Sequence, residues 1–249
     1  MKMLIAITVM LEITMMSLKS NELQLKEKIY EAYISGNINK WYQISSLFES
    51  SDLKKNIPLN EQEEILGVYY GLIAYYISQN QKKNASKLLE KATSMNEQLL
   101  KSHPHNARLN AMRGAFLGFE IGLNPLKAPF IGLESLDYID KALMADNQNP
   151  YAWLEKANSL YYAPLLIGNS QKKAFEAYQK SISLFEKQQI TRHNWIYLNT
   201  ITSLARAYEE QADFTNAITL YKKILTVEPS FDWVKNELLP NVLKKQKAV

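Results

Sequence analysis

The chain has 249 residues, of which 47% are hydrophobic and 22% charged, a composition that packs a core and is too apolar for a disordered segment. Cysteine is absent, which excludes disulfides, a thiolate nucleophile, Cys-ligated zinc and a lipid-accepting Cys. The formal charge is +4, yet only Arg108, Arg113, Arg192 and Arg206 among 29 basic residues carry the guanidinium fork, and the lysines are scattered among glutamates, so nucleic acid is not an expected partner.

Residues 1–18 contain Lys2, the apolar run Leu4 to Leu11, then Glu12, Ile13, Thr14 and two Met before Ser17. A short positive start followed by an apolar stretch of this length is the pattern of a secretory signal and is too short to span a bilayer. It predicts an exported, periplasmic or secreted protein with no membrane span in the mature chain. Glu12 breaks the run and no small-x-small cleavage site precedes Ser20, so an N-terminal helix of a cytoplasmic body and an uncleaved anchor both stay open as alternatives.

Beyond residue 20 apolar residues recur at three and four, as in Leu25, Ile29, Ala32 and Tyr33, and strict alternation over strand length is absent. Eight glycines are also too few for the tight turns of a large sheet. The chain is therefore expected to be all helix. Breaks at Gly36-Asn37, Asn56-Ile57-Pro58, Gln79-Asn80, His103-Pro104, Asn124 to Gly132, Asn149-Pro150, Pro164 to Asn169, Gln188 to Thr191, Ala212-Asp213 and Pro229 cut it into antiparallel helix pairs. The expected organisation is a signal peptide at 1–18, an N-terminal helix pair and linker at 19–59, repeats at 60–230, and a capping helix with a Lys-rich tail at 231–249.

The repeats are visible as recurring small residues. From Ile201 to Pro229 the chain carries Leu204, Ala205, Tyr208, Phe214, Ala217, Tyr221, Ile224 and Pro229. Looser copies hold Leu154, Ala157, Asn158 and Tyr161 with Ala174, Tyr178 and Ser181; Gly114 and Leu117 with Ser135, Ile139 and Ala142; and Gly71 and Ala74 with Ala85, Leu89 and Ala92. This spacing closely resembles the tetratricopeptide repeat, a helix–turn–helix of 34 residues. Ala205 and Ala217 then sit where paired helices cross, and a larger side chain would hold the axes apart. The resemblance implies an all-α, right-handed solenoid of five helix pairs, the first of them Glu22 to Ser35 with Ile38 to Glu49 around Trp41. Phe231 to Lys247 would close the exposed apolar end of the stack. The lengthened turns at 124–132 and 161–168 look like those of divergent exported tetratricopeptide proteins of Bacteroidota-type bacteria.

No catalytic constellation stands out. His103 and His105 share a turn, but only Glu97 offers a carboxylate within ten residues, and His193 stands in a Thr-Arg-His-Asn turn that suits capping. Neither a metal nor a cofactor is expected, and without a nucleophile elbow, phosphate loop or paired-carboxylate motif the chain reads as a non-enzyme.

Two features point to binding. Gly114, Gly118 and Gly122 form a ridge on one helix, and each costs about 1 kcal/mol against alanine there, so the ridge either seats a neighbouring helix or floors a groove. Close by, the inserted turns carry Phe130, Ile131, Leu165, Leu166 and Ile167, an apolar set that marks a partner if exposed. The resemblance also implies a concave wall built from the first helix of each pair: Val68, Leu72 and Tyr75; Arg108, Ala111 and Ala115; Ala152, Glu155, Ser159 and Tyr162; Asn199, Thr202, Arg206 and Glu209. Tyr75, Arg108, Glu155, Tyr162, Asn199 and Arg206 are the expected contacts for an extended or helical peptide of a protein partner. The competing reading is a periplasmic carrier of a small apolar ligand, similar to the tetratricopeptide subunits that accompany TRAP-type transporters, with the ligand enclosed by the glycine ridge and the apolar turns.

Overall fold

The computed structural model describes residues 23–47, 57–162 and 170–248. The expected signal segment and Leu165, Leu166 and Ile167 lie outside them. Among the described residues regular structure is helical throughout: α1 (23–34), α2 (Ile38–Leu47), α3 (Leu59–Ser78), α4 (Lys82–Ser102), α5 (Ala107–Leu123), α6 (Ala128–Ala145), α7 (Pro150–Tyr162), α8 (Gln171–Lys187), α9 (Trp195–Glu210), α10 (Phe214–Val227) and α11 (Leu239–Lys247).

The breaks work through local chemistry. Side chains of Asn106, Ser170, Asn194 and Asp213 accept from the backbone N–H of Leu109, Lys173, Tyr197 and Asn216 and so start α5, α8, α9 and α10. Gly36, Asn80, Gln189 and Ala212 turn the chain at φ of 63°, 55°, 57° and 59°. The pairs α3–α4, α5–α6, α7–α8 and α9–α10 pack antiparallel and stack in order, with α11 closing on α10, so the chain is an all-α solenoid. At the crossings Ala85, Ala92, Ala157, Ala174, Ala205 and Ala217 expose no surface, as their small size predicts.

Because helices alternate in direction, α3, α5, α7 and α9 all begin at one end, the base, and finish at the other, the mouth. Base turns are tied by Asn106 Nδ2 to Glu63 (2.7 Å) and Gln188 Nε2 to the Gln148 carbonyl (2.6 Å). At the mouth the Tyr161 hydroxyl donates to Glu210 and Lys245 pairs with Glu209.

Two local expectations need correction and a third gains a detail. The insertion at 124–132 is not all turn: a short 3-10 turn, Pro125–Lys127, runs into α6, whose first turn contains Pro129, because proline lacks only an N–H that a first turn leaves unbonded anyway. Phe130 therefore rides on a helix. The C-terminal cap is one continuous helix over 232–247 that contains a π-turn at Val234–Leu238. The N-terminal pair, finally, does not simply extend the stack. It folds back across the inner face, where the Tyr30 hydroxyl donates to Glu228 (2.9 Å), Tyr33 packs on Phe231 (5.0 Å between ring centres) and Glu27 pairs with His193 Nδ1 (3.3 Å).

Candidate functional site

The hairpin of α1 and α2 decides what the inner face can offer. Trp41 donates its indole N–H to the Ile29 carbonyl (2.8 Å), which fixes the ring on the hairpin, and presses the ring tip against Gly71 of α3. It also meets Trp195 of α9 edge-on at 4.7 Å and stacks on Tyr33 at 5.7 Å. Gly67 of α3 faces Ile196 and Trp195 directly. The first and last inner helices thus touch, and aromatic rings fill the space between them. The concave wall is consequently not open along its length: Val68, Leu72, Ala111, Ala115, Ala152 and Thr202, expected to line it, are core residues.

Two of the expected contact residues are buried with them. Arg108 is only 8% exposed; its Nη1 sits 2.8 Å from Glu64 and 3.6 Å from Glu63, and its guanidinium lies 4.1 Å above the Tyr151 ring. It is a structural cation whose charge is already matched by α3. Glu155, 7% exposed, takes hydrogen bonds from Asn158 (3.1 Å) and Tyr70, while Asn158 also bonds the Tyr70 and Tyr178 hydroxyls at 3.1 and 2.7 Å. Asn199 is half-buried and accepts from Tyr33 of the hairpin (3.4 Å), so it too is engaged internally.

Burial pushes the Glu155 carboxyl up to about 7 from its ordinary 4.5, with the Asn158 and Tyr70 hydrogen bonds pulling the other way. The folded protein then keeps a proton that the unfolded chain releases, so this group makes stability fall as pH rises from 4.5 to 7 and adds no further slope above that. Glu155→Gln, which keeps the acceptor without the charge, is expected to raise stability by about 2 kcal/mol at pH 8 and to leave it near the parent value at pH 5, read from urea melts at the two pH values.

What remains accessible gathers at the mouth. Tyr162 is 75% exposed and Tyr75 38% exposed, at the last turns of α7 and α3. Arg206, near the end of α9, is exposed, lies 5.9 Å over the Trp233 ring, and bears electrostatically on the Tyr162 hydroxyl together with Glu210 and Glu155. Tyr161 sets its ring edge-on to Tyr162 at 5.1 Å, and Tyr76 does the same to Tyr75 at 5.5 Å. Of the six expected contacts, then, Tyr75, Tyr162 and Arg206 share an exposed aromatic and cationic rim. Tyr70, Asn158 and Tyr178 form the polar layer near it, and sequence reading missed that layer because its members lie up to 108 positions apart.

Residues 198–231, the last pair and the start of the cap, match the model of the tetratricopeptide repeat family. That last helix pair is a tetratricopeptide repeat. Among solved structures, the HusA haemophore from Porphyromonas gingivalis superposes with a TM-score of 0.58 at 19% identity, covering 76% of this chain and 93% of that one. TTC0263, a thermophilic tetratricopeptide protein of Thermus thermophilus, gives a TM-score of 0.51 at 14% identity over 92% and 97% of the two chains. Both likenesses are of fold. No curated protein sequence matches this chain significantly.

In this stack of helix pairs the glycine ridge divides in two. Gly114 is a packing residue: a Cβ there would lie 2.7 Å from Ile139 Cγ1 and 2.8 Å from the Ser135 carbonyl, and Ser135 Oγ donates to the Gly114 carbonyl (2.8 Å). It belongs to the α5–α6 crossing and not to a groove. Gly118 and Gly122 are exposed, with open space where a Cβ would go. Gly118→Ala and Gly122→Ala are expected to stabilise by about 0.5–1 kcal/mol each through helix propensity, whereas Gly114→Ala destabilises, an ordering thermal melts will check.

A cleft of 330 Å³ opens at the base, lined among others by Glu63, His105, Asn106, Arg108, Asp146 and Tyr151. Its carboxylates outnumber its one cation, which is already paired. His103 and His105 stand exposed on the turn before α5, and no grouping of three His, Asp or Glu side chains able to hold a metal occurs among the described residues.

Proposed function

We propose that this protein is a non-enzymatic interaction scaffold that holds a segment of a protein partner at the mouth of its tetratricopeptide stack, in the bacterial periplasm or envelope. The observation that carries the reading is the rim itself. Tyr75, Tyr162 and Arg206 are the members of the inner-helix set that stay exposed while the hairpin and the buried ion pairs fill the rest. Aromatic side chains and arginine are the residue types that dominate protein interfaces, since each covers much area with few rotatable bonds. The Lys2-led apolar segment at 1–18 supports export.

A second reading, a carrier of a small apolar ligand, draws support from the likeness to a haemophore. One preparation tests both. Tyr162→Ala and Arg206→Ala are each expected to weaken capture of a protein partner from the native host's envelope fraction at least tenfold with the melting temperature within about 2 °C of the parent. Unchanged capture in both variants would defeat the scaffold reading. Titration with haem, followed by the Soret band, supports the carrier reading if a saturable 1:1 complex forms and Tyr162→Ala weakens it.

A further inference from the structure

The convex side of the mouth carries a feature that the proposed peptide rim does not use. Helix α6 buries Ser135, Ile139 and Ala142 against α5, as an outer helix must, but at the mouth its first two turns also present apolar side chains to solvent, while Glu134, Asp137 and Asp140 are exposed farther along the helix. Leu126 and Phe130 are each 82% exposed and Leu133 75% exposed, three large side chains at intervals of four and three on one stripe of the 3-10 turn and the first turns of α6. No described residue covers them.

The neighbouring outer helices supply a matching charge. α4 and α8 flank α6 in the stack and start at the same end, α4 with Lys82 and Lys83 and α8 with Lys172 and Lys173 close to its first residue. All four lysines are exposed and none forms an ion pair among the described residues. Lys127, beside the ridge, is paired with Glu120. The apolar ridge and the two pairs of unpaired cations thus lie at the same end of the molecule.

Shape selects among the occupants. The patch is a convex ridge on an outer helix, and among the described residues it presents neither a strand edge nor a walled groove. A peptide needs one of those to be held. A fluid, negatively charged surface needs neither: apolar side chains enter the boundary between headgroups and acyl chains while lysines remain at headgroup level. We propose that the mouth end of the convex face docks the protein onto a bilayer of anionic phospholipid, with Leu126, Phe130 and Leu133 inserted and Lys82, Lys83, Lys172 and Lys173 against the headgroups. No described helix is long and apolar enough to cross a membrane, so this is attachment to one leaflet.

The test is co-sedimentation of the full chain with vesicles of phosphatidylcholine alone and of phosphatidylcholine with phosphatidylglycerol, at low and high salt. Binding is expected only to the anionic vesicles and to weaken at high salt. Phe130→Asp and the double change Lys172→Glu with Lys173→Glu are each expected to lower it at least tenfold, with melting curves matching the parent because all three positions face solvent. No binding to anionic vesicles overturns the proposal. So does binding that Phe130→Asp leaves intact, which would assign attachment to another segment such as residues 1–18, and so does equal binding to both vesicle types. If Phe130→Asp unfolds the chain, Leu126→Asp, on the 3-10 turn, gives the same reading.

Discussion

Replacing Gly71 by alanine is expected to destabilise the protein by about 2–3 kcal/mol, although alanine is the better helix former by about 1 kcal/mol. The added methyl would lie 2.0 Å from Cζ3 and 2.4 Å from Cη2 of Trp41 and 3.1 Å from the ring of Trp195. That indole has nowhere to retreat, since its N–H is bonded to Ile29 and its faces meet Tyr33 and Trp195. Gly67→Ala, one turn earlier on the same helix, is the control: its nearest neighbours are 3.6–3.8 Å away, an ordinary contact, so it should cost nothing. Trp41→Ala alone should cost about 3–5 kcal/mol through the cavity it leaves. In the double variant Gly71→Ala adds little penalty, because the Trp41 ring is gone and only the 3.1 Å approach to Trp195 is left. Additive penalties in a urea-melt cycle would show that Trp41 does not fill the inner face as described.

The second large effect is at the base. Arg108→Ala is expected to cost about 3–5 kcal/mol because it leaves the Glu64 carboxylate buried without its cation, beside a second carboxylate from Glu63. Changing both partners, Arg108→Met with Glu64→Gln, should recover most of that loss, since a buried ion pair adds little over a well-packed neutral pair and the penalty comes from the orphaned charge. A stability loss for the double variant as large as for Arg108→Ala would place the role of Arg108 in its contact with the Tyr151 ring instead.

These two sites also explain why sequence reading sets Arg108 on an open wall. Repeat phase puts Arg108 on the inner side of α5, and that is where it lies. Phase alone does not say whether the inner side meets solvent, a ligand or another part of the chain. Here Trp41, thirty positions ahead of Gly71, occupies the space in which a partner segment was expected, and Glu64 meets Arg108 from 44 positions away. Neither pairing has a local signature. Gly71 looks like any small residue of the repeat pattern, and Trp41 like any core aromatic.

What the amino-acid sequence determined by itself is the set of properties that act within about one helix pair: helical periodicity, the caps at Asn106, Asn194 and Asp213, the left-handed turn residues, and alanines where two adjacent rods must approach. All are short-range, because each depends on hydrogen bonds or crossings between residues close along the chain. Which inner side chains remain accessible is settled instead by long-range packing. That depends on a hairpin folding back over the stack, and the contacts that hold it, from Tyr30 to Glu228 and from Tyr33 to Phe231, join positions nearly two hundred residues apart, where the chain carries no local record of them.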